Sequence, residues 1–177
     1  RCSSAGDILP DDILASIKDN TRMIIVTHAS NVTGTITPIA DISDIASKYG
    51  VVLVVDAAQT VGSVAIDVID SGVDILVFTG HKSLYGPQGT GGFYIKRGLE
   101  MLIAPLERGG TGSRSEFEEQ PEFMPDRFES GTPNTIGIAG LGATARHIFD
   151  IGIDKIHNKE INLMKMFVDG ISTIGGI

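Results

Sequence analysis

The chain has 177 residues, 42% of them apolar and 20% charged, which suffices for one domain with a substantial core. Its 22 acidic and 14 basic residues give a formal charge of -8 with no local Lys/Arg cluster, and this excludes a nucleic-acid surface. The one cysteine, Cys2, excludes an internal disulfide, and no stretch reads as a signal peptide or a bilayer span, so a cytoplasmic location and no membrane partner are expected.

In chain order, Asp11 to Lys18 reads as a short amphipathic helix entered through Pro10, with Ile13, Leu14 and Ile17 on one face. Met23 to Val26 is a first buried strand. Asp41 to Tyr49 is helical and Gly50 stops it. Val51 to Val55, Ile75 to Phe78 and Gly92 to Ile95 are three further strands. Strands alternating with helices, the strands being apolar throughout, predict an α/β fold: a mainly parallel sheet with helices on both faces and right-handed crossovers. Regularity fades from Met101 to Asp126, where Gly109 to Ser113 forms a loop and Ser115 to Glu122 is an acidic surface stretch. Helical spacing returns over Thr135 to Ile151 and again from Lys155 to Ile171. The chain opens on Arg1-Cys2-Ser3-Ser4 and stops at Gly175-Gly176-Ile177, and it reads as a piece of a larger protein.

Three polar clusters follow predicted strands, around Asn31, Asp56 and Lys82, and a parallel sheet would bring all three to its carboxyl edge, where α/β proteins place their chemistry. Lys82 sits in Thr79-Gly80-His81-Lys82-Ser83, and the glycine-dense loop Tyr85 to Gly92 follows it. An amine and a carboxylate at neighbouring strand ends suit a carbonyl cofactor that needs an amine anchor and a charged partner, and pyridoxal phosphate is such a cofactor. The bland reading of Lys82 alone is a solvated lysine; its context argues for chemistry. A nucleotide-binding Walker loop fails, because His81 and Leu76 stand where glycine is required. A metal site at His81 finds no second ligand at chelating spacing. His28, His147 and His157 read as structural or surface histidines, of which His28 alone lies near a strand end. Cys2 has no base in view and reads as an inert thiol.

Four segments together carry a family resemblance: Thr27-His28-Ala29-Ser30-Asn31-Val32-Thr33-Gly34, Val55-Asp56-Ala57-Ala58-Gln59-Thr60-Val61-Gly62, Thr79 to Lys82 with Tyr85-Gly86-Pro87-Gln88-Gly89, and Arg127-Phe128-Glu129-Ser130-Gly131-Thr132-Pro133-Asn134. In order and spacing the chain resembles the class V aminotransferases, and within them the cysteine desulfurase branch. The resemblance implies the large domain of a type I pyridoxal-phosphate enzyme. Residues 1–177 would be the central to C-terminal part of that domain, ending where a small C-terminal domain begins. Lys82 would hold the cofactor covalently and move protons at the substrate carbon. Asp56 would keep the pyridine nitrogen protonated, Gln59 would hydrogen-bond the phenolic oxygen, and Asn31 would lie near that oxygen and the substrate carboxylate. Thr79 and His81 would bind the phosphate, and Thr111 would reach the phosphate of a partner subunit in a homodimer.

The phosphate loop and stacking ring of such enzymes have no counterpart in this chain, nor do the substrate-carboxylate arginine and the sulfur-accepting cysteine, so this piece alone is expected to be inactive. The implied reaction is sulfur transfer from L-cysteine to an acceptor thiol, leaving L-alanine, with a sulfur-acceptor protein and iron-sulfur cluster assembly downstream. An aminotransferase using a 2-oxo acid and a selenocysteine lyase share the same segments. A non-catalytic scaffold is the alternative of another class, against which the retained Lys82, Asp56 and Gln59 count.

Overall fold

A computed structural model of the protein describes residues 2–114 and 116–176. Arg1, Ser115 and Ile177, touched by the readings of the chain ends and of the acidic stretch, lie outside the described residues. The elements run α1 (Pro10–Ser16), β1 (Met23–Thr27), α2 (Ile39–Tyr49), β2 (Val52–Asp56), β3 (Ile75–Thr79), β4 (Gly91–Ile95), a 3-10 turn at Leu99–Leu102, α3 (Thr135–Ile151) and α4 (Ile153–Ser172). The β-branched runs Ile24-Ile25-Val26 and Val52 to Val55 favour extended backbone. Asp41 in the first turn and Lys48 in the last complement the dipole of α2, and Gly50 ends it at φ 62° with its N–H turned back to Ala46 and Ser47.

The sheet order is β1-β2-β3-β4, with β1, β2 and β3 parallel and β4 antiparallel to β3. The sheet is therefore mainly parallel, as expected. Its last strand turns back because no helix intervenes between Thr79 and Gly91 to carry the chain across the sheet. One face holds Ile24, Val26, Leu53, Val55 and Leu76, which pack with Ile39, Ile42 and Ala46 of α2, while Ile13 of α1 joins at the rim. Phe78 continues that face towards Leu84 and Ile148 of α3. On the opposite face Ile25 is 69% exposed, and Phe93 meets the ring of Phe128 edge-on at 5.5 Å.

Asn134 caps α3, its side chain accepting the Gly137 N–H at 3.0 Å. Gly152, at φ 91°, separates α3 from α4, which begins at Ile153 instead of the expected Lys155. Among the described residues no helix is long and apolar enough to cross a membrane.

Candidate active site

The parallel strands bring Asn31, Asp56 and Lys82 to one edge. Thr27 ends β1 directly opposite Asp56, which ends β2, and β3 delivers Thr79 three residues ahead of Lys82. Beyond β1 the chain folds into a tight loop: Ser30 N–H donates to Thr35 O at 3.0 Å, and the Ser30 hydroxyl accepts the N–H groups of Val32 and Thr33, both at 3.2 Å. This turn carries Asn31 at the strand edge. Beyond β2 the Asp56 Oδ1 accepts the Ala58 N–H at 2.9 Å, which starts the turn that carries Gln59.

These ends enclose a cleft of about 390 Å³ lined by Thr27, Ala29, Ser30, Asn31, Asp56, Ala58, Gln59 and Lys82. That volume falls within the roughly 300–1,000 Å³ of small-molecule sites. Among the described residues, the amine of Lys82, the amides of Asn31 and Gln59, and Oδ2 of Asp56 make no hydrogen bond to the protein. A lysine amine, one carboxylate oxygen and two amides thus line one cavity without hydrogen bonds to other described residues.

Thr79 and His81 lie beside the cleft, where Thr79 Oγ1 and His81 Nδ1 are 2.7 Å apart and His81 is exposed. Two side chains joined in this way present a hydroxyl and an imidazole as one polar corner. Thr111 lies outside the lining of this cleft; its hydroxyl is 3.3 Å from that of Ser113. Another cleft, about 440 Å³, opens at the far end of β2 and β3. There Asp74 pairs with Lys96 at 3.1 Å and accepts the Leu53 N–H at 3.0 Å. Among the described residues no group of three or more His, Cys, Asp or Glu side chains is placed to hold a metal ion.

Two features went unread in the sequence. Thr27 and Ser30 belong to the cleft, and their neighbourhood to Asn31 was the available signal. His28, 6% exposed, is buried beneath the site with Nδ1 2.8 Å from the hydroxyl of Thr60, which is 1% exposed. Burial lowers the His28 pKa from its ordinary 6.5, so the ring is neutral at neutral pH. A cross-strand contact of this kind has no sequence signature.

A mainly parallel sheet with a lysine, a carboxylate and two amides converging at its carboxyl edge defines an α/β enzyme scaffold, and the chain belongs to the class V aminotransferase family, whose model matches residues 1–177. It is 40% identical over 175 residues to a cysteine desulfurase of Yersinia pseudotuberculosis, covering 97% of this chain and 43% of that relative. The apo structure of a cysteine desulfurase from Thermococcus onnurineus NA1 matches with a TM-score of 0.88 and 33% identity, over 98% of this chain and 44% of that one. A structure of SspA in complex with cysteine matches with a TM-score of 0.70 and 32% identity, over 82% of this chain and 38% of that one. The chain thus spans less than half the length of the relatives it matches.

Proposed function

We propose that the protein is a pyridoxal-phosphate-dependent cysteine desulfurase, which takes sulfur from L-cysteine and leaves L-alanine and a persulfide on an acceptor thiol. The observation that carries this reading is the convergence of Lys82, Asp56, Gln59 and Asn31 on one cleft, with Asp56 Oδ1 held by the Ala58 N–H and Oδ2 left for a ligand. The donor set fits the cofactor: an amine for its aldehyde, an anionic oxygen for its ring nitrogen, amide N–H groups for its phenolic oxygen, and the Thr79–His81 corner for its phosphate. The similarity to desulfurases, and to a protein solved with cysteine, favours L-cysteine as substrate over a 2-oxo acid.

When bound, pyridoxal phosphate supplies an electron sink for charge developing at the substrate Cα. Lys82 Nζ anchors it and then takes and returns the proton at that carbon. Asp56 Oδ2 holds a proton on the ring nitrogen, with Oδ1 fixed by the Ala58 N–H so that the carboxylate cannot rotate away. Gln59 donates to the phenolic oxygen, and Asn31 orients the substrate carboxylate beside it. In the net reaction the substrate's C–S bond breaks, an S–S bond forms to the acceptor thiolate, and a single proton takes the place of sulfur at Cβ. Residues 1–177 form the central to C-terminal part of the cofactor-binding domain. Thr111 serves the partner's site in a homodimer, a sulfur-acceptor protein receives the persulfide sulfur for cluster assembly, and the enzyme works in the cytoplasm.

The test uses the full-length protein with L-cysteine, a dithiol reductant and no 2-oxo acid. Alanine and sulfide are expected in equal amounts. Turnover that depends on an added 2-oxo acid, with the cofactor accumulating in its amine form, would replace the desulfurase reading with an aminotransferase.

A further inference from the structure

The turn that carries Gln59 is gripped from both sides. On the β1 side, His28 N–H donates to Asp56 O at 2.8 Å, and its imidazole reaches Thr60 Oγ1 at 2.8 Å. On the β3 side, a β-carbon at Gly62 would collide with the Ser83 carbonyl and come within 3.0 Å of Leu84 N, so the turn packs directly on the backbone next to Lys82. The Ser83 hydroxyl is 3.5 Å from Gln59 O. Thr60 itself is tied down, with its N–H 3.0 Å and its hydroxyl 3.3 Å from Ala57 O. His28 is also fixed along the chain, because its carbonyl accepts the Thr37 N–H at 2.8 Å and Thr37 Oγ1 donates to Thr27 O at 2.6 Å.

From this we infer that His28 is a positioning residue: through its side-chain bond to Thr60 it sets where the Asp56–Gln59 turn stands relative to Asn31 on one side and Lys82 on the other. The inference rests on the proposed function for the meaning of that placement. The contact spans 32 positions of sequence and joins two side chains at the base of two different strand-end loops. A neutral imidazole has one N–H, and a threonine hydroxyl can either accept it while donating to Ala57 O or donate to the bare ring nitrogen. In both arrangements the bond is buried; without Thr60 the ring Nδ1 loses its partner, while without His28 the Thr60 hydroxyl keeps only its longer contact to Ala57 O at 3.3 Å. The backbone bonds, Ala57 N–H to Val77 O at 2.8 Å among them, fix the start of the turn at the strand end, and the imidazole contact adds a side-chain tie at Thr60, one residue beyond Gln59.

The experiment compares His28→Phe and Thr60→Val, which keep volume but remove the bond, with His28→Asn and Thr60→Ser, which keep a donor or a hydroxyl at the same place. In cofactor-free full-length protein, amide hydrogen exchange over residues 57–62 is expected to accelerate in the first pair and stay near wild type in the second. The first pair should also bind pyridoxal phosphate about five- to tenfold more weakly, the equivalent of one buried hydrogen bond. The pH midpoint of the bound cofactor's visible absorption change should shift in the first pair alone, because Gln59 no longer meets the phenolic oxygen. Unchanged exchange, or faster exchange with wild-type affinity and an unmoved midpoint, overturns the inference and leaves His28 a packing residue. If the wild type takes up no pyridoxal phosphate, the functional reading falls, and the exchange comparison alone decides whether the contact holds the turn.

Discussion

Asp56 shows how one short hydrogen bond turns a strand-end carboxylate into a directed group. Its Oδ1 is occupied by the Ala58 N–H, which leaves one oxygen to face the cleft. Asp56→Ala is expected to remove a charge-assisted bond worth about 1.5–3 kcal/mol to the cofactor nitrogen. Catalysis should fall further than cofactor affinity, because the nitrogen's positive charge is also lost; activity within a few-fold of wild type would reject the role. Lys82→Ala should abolish the borohydride-trappable adduct with pyridoxal phosphate, and an adduct persisting in that variant places the anchor elsewhere. His28 has a folded pKa below its ordinary 6.5 because burial disfavours the charged ring. Its stabilising contribution is therefore complete above about pH 6.5 and is lost as pH falls through the depressed folded value, since the unfolded chain takes up the proton first. Melting temperatures measured between pH 7.5 and 5 should drop more steeply for wild type than for the non-titrating His28→Asn; parallel curves would contradict the assignment.

Loops and caps between elements decide how the strand ends meet. Asn134 starts α3 by accepting the Gly137 N–H, and its side-chain nitrogen also lies 3.5 Å from Gly89 O in the glycine-rich loop after Lys82. Losing that cap in Asn134→Ala should destabilise the protein by about 0.5–2 kcal/mol, read from the urea midpoint, with Asn134→Asp retaining most of the stability. Equal midpoints for the alanine variant and wild type would show that the cap contributes nothing. The glycine-rich loop has its own geometric device in Tyr85, a non-glycine residue at φ 55° whose N–H returns to Lys82 O at 2.8 Å. This closes a turn around the lysine. A left-handed tyrosine cannot be read from residue type, because its conformation is set by the contacts of the turn.

At the scale of the whole molecule, the proposed role of Thr111 toward a second copy calls for a direct test, since Thr111 lies outside the lining of the cleft in its own chain. Its loop combines Gly109, Gly110 and Gly112 at φ 89°, 68° and 78°, and it is moored by Gln120, which accepts the Gly109 N–H at 2.9 Å. On the proposed function, sedimentation of the full-length protein should show a homodimer, and Thr111→Ala should weaken cofactor binding without dissociating it. A strictly monomeric enzyme with full activity would remove Thr111 from the site. The open sheet face at Ile25 and Phe93 shows where the expectation of helices on both faces met a limit. Apolar residues at every position of a strand state that both faces tolerate burial. They do not state that a helix of these 177 residues lies on each.

The α/β class, the order of the elements and the arrival of Asn31, Asp56 and Lys82 at one strand edge were legible in local sequence, whereas Gln59 came from the family resemblance. Apolar runs select strands, helical spacing and caps select helices, and parallel pairing forces successive strand ends to one edge. Element ends moved by one or two residues for the same local reason: hydrogen-bond partners at a terminus come from outside the element. The direction of β4 and the contact between His28 and Thr60 belong to tertiary structure alone. Each depends on which distant backbone or side chain arrives at a given point, and a histidine's surroundings, more than its presence in the chain, make it a solvated base or a buried neutral strut.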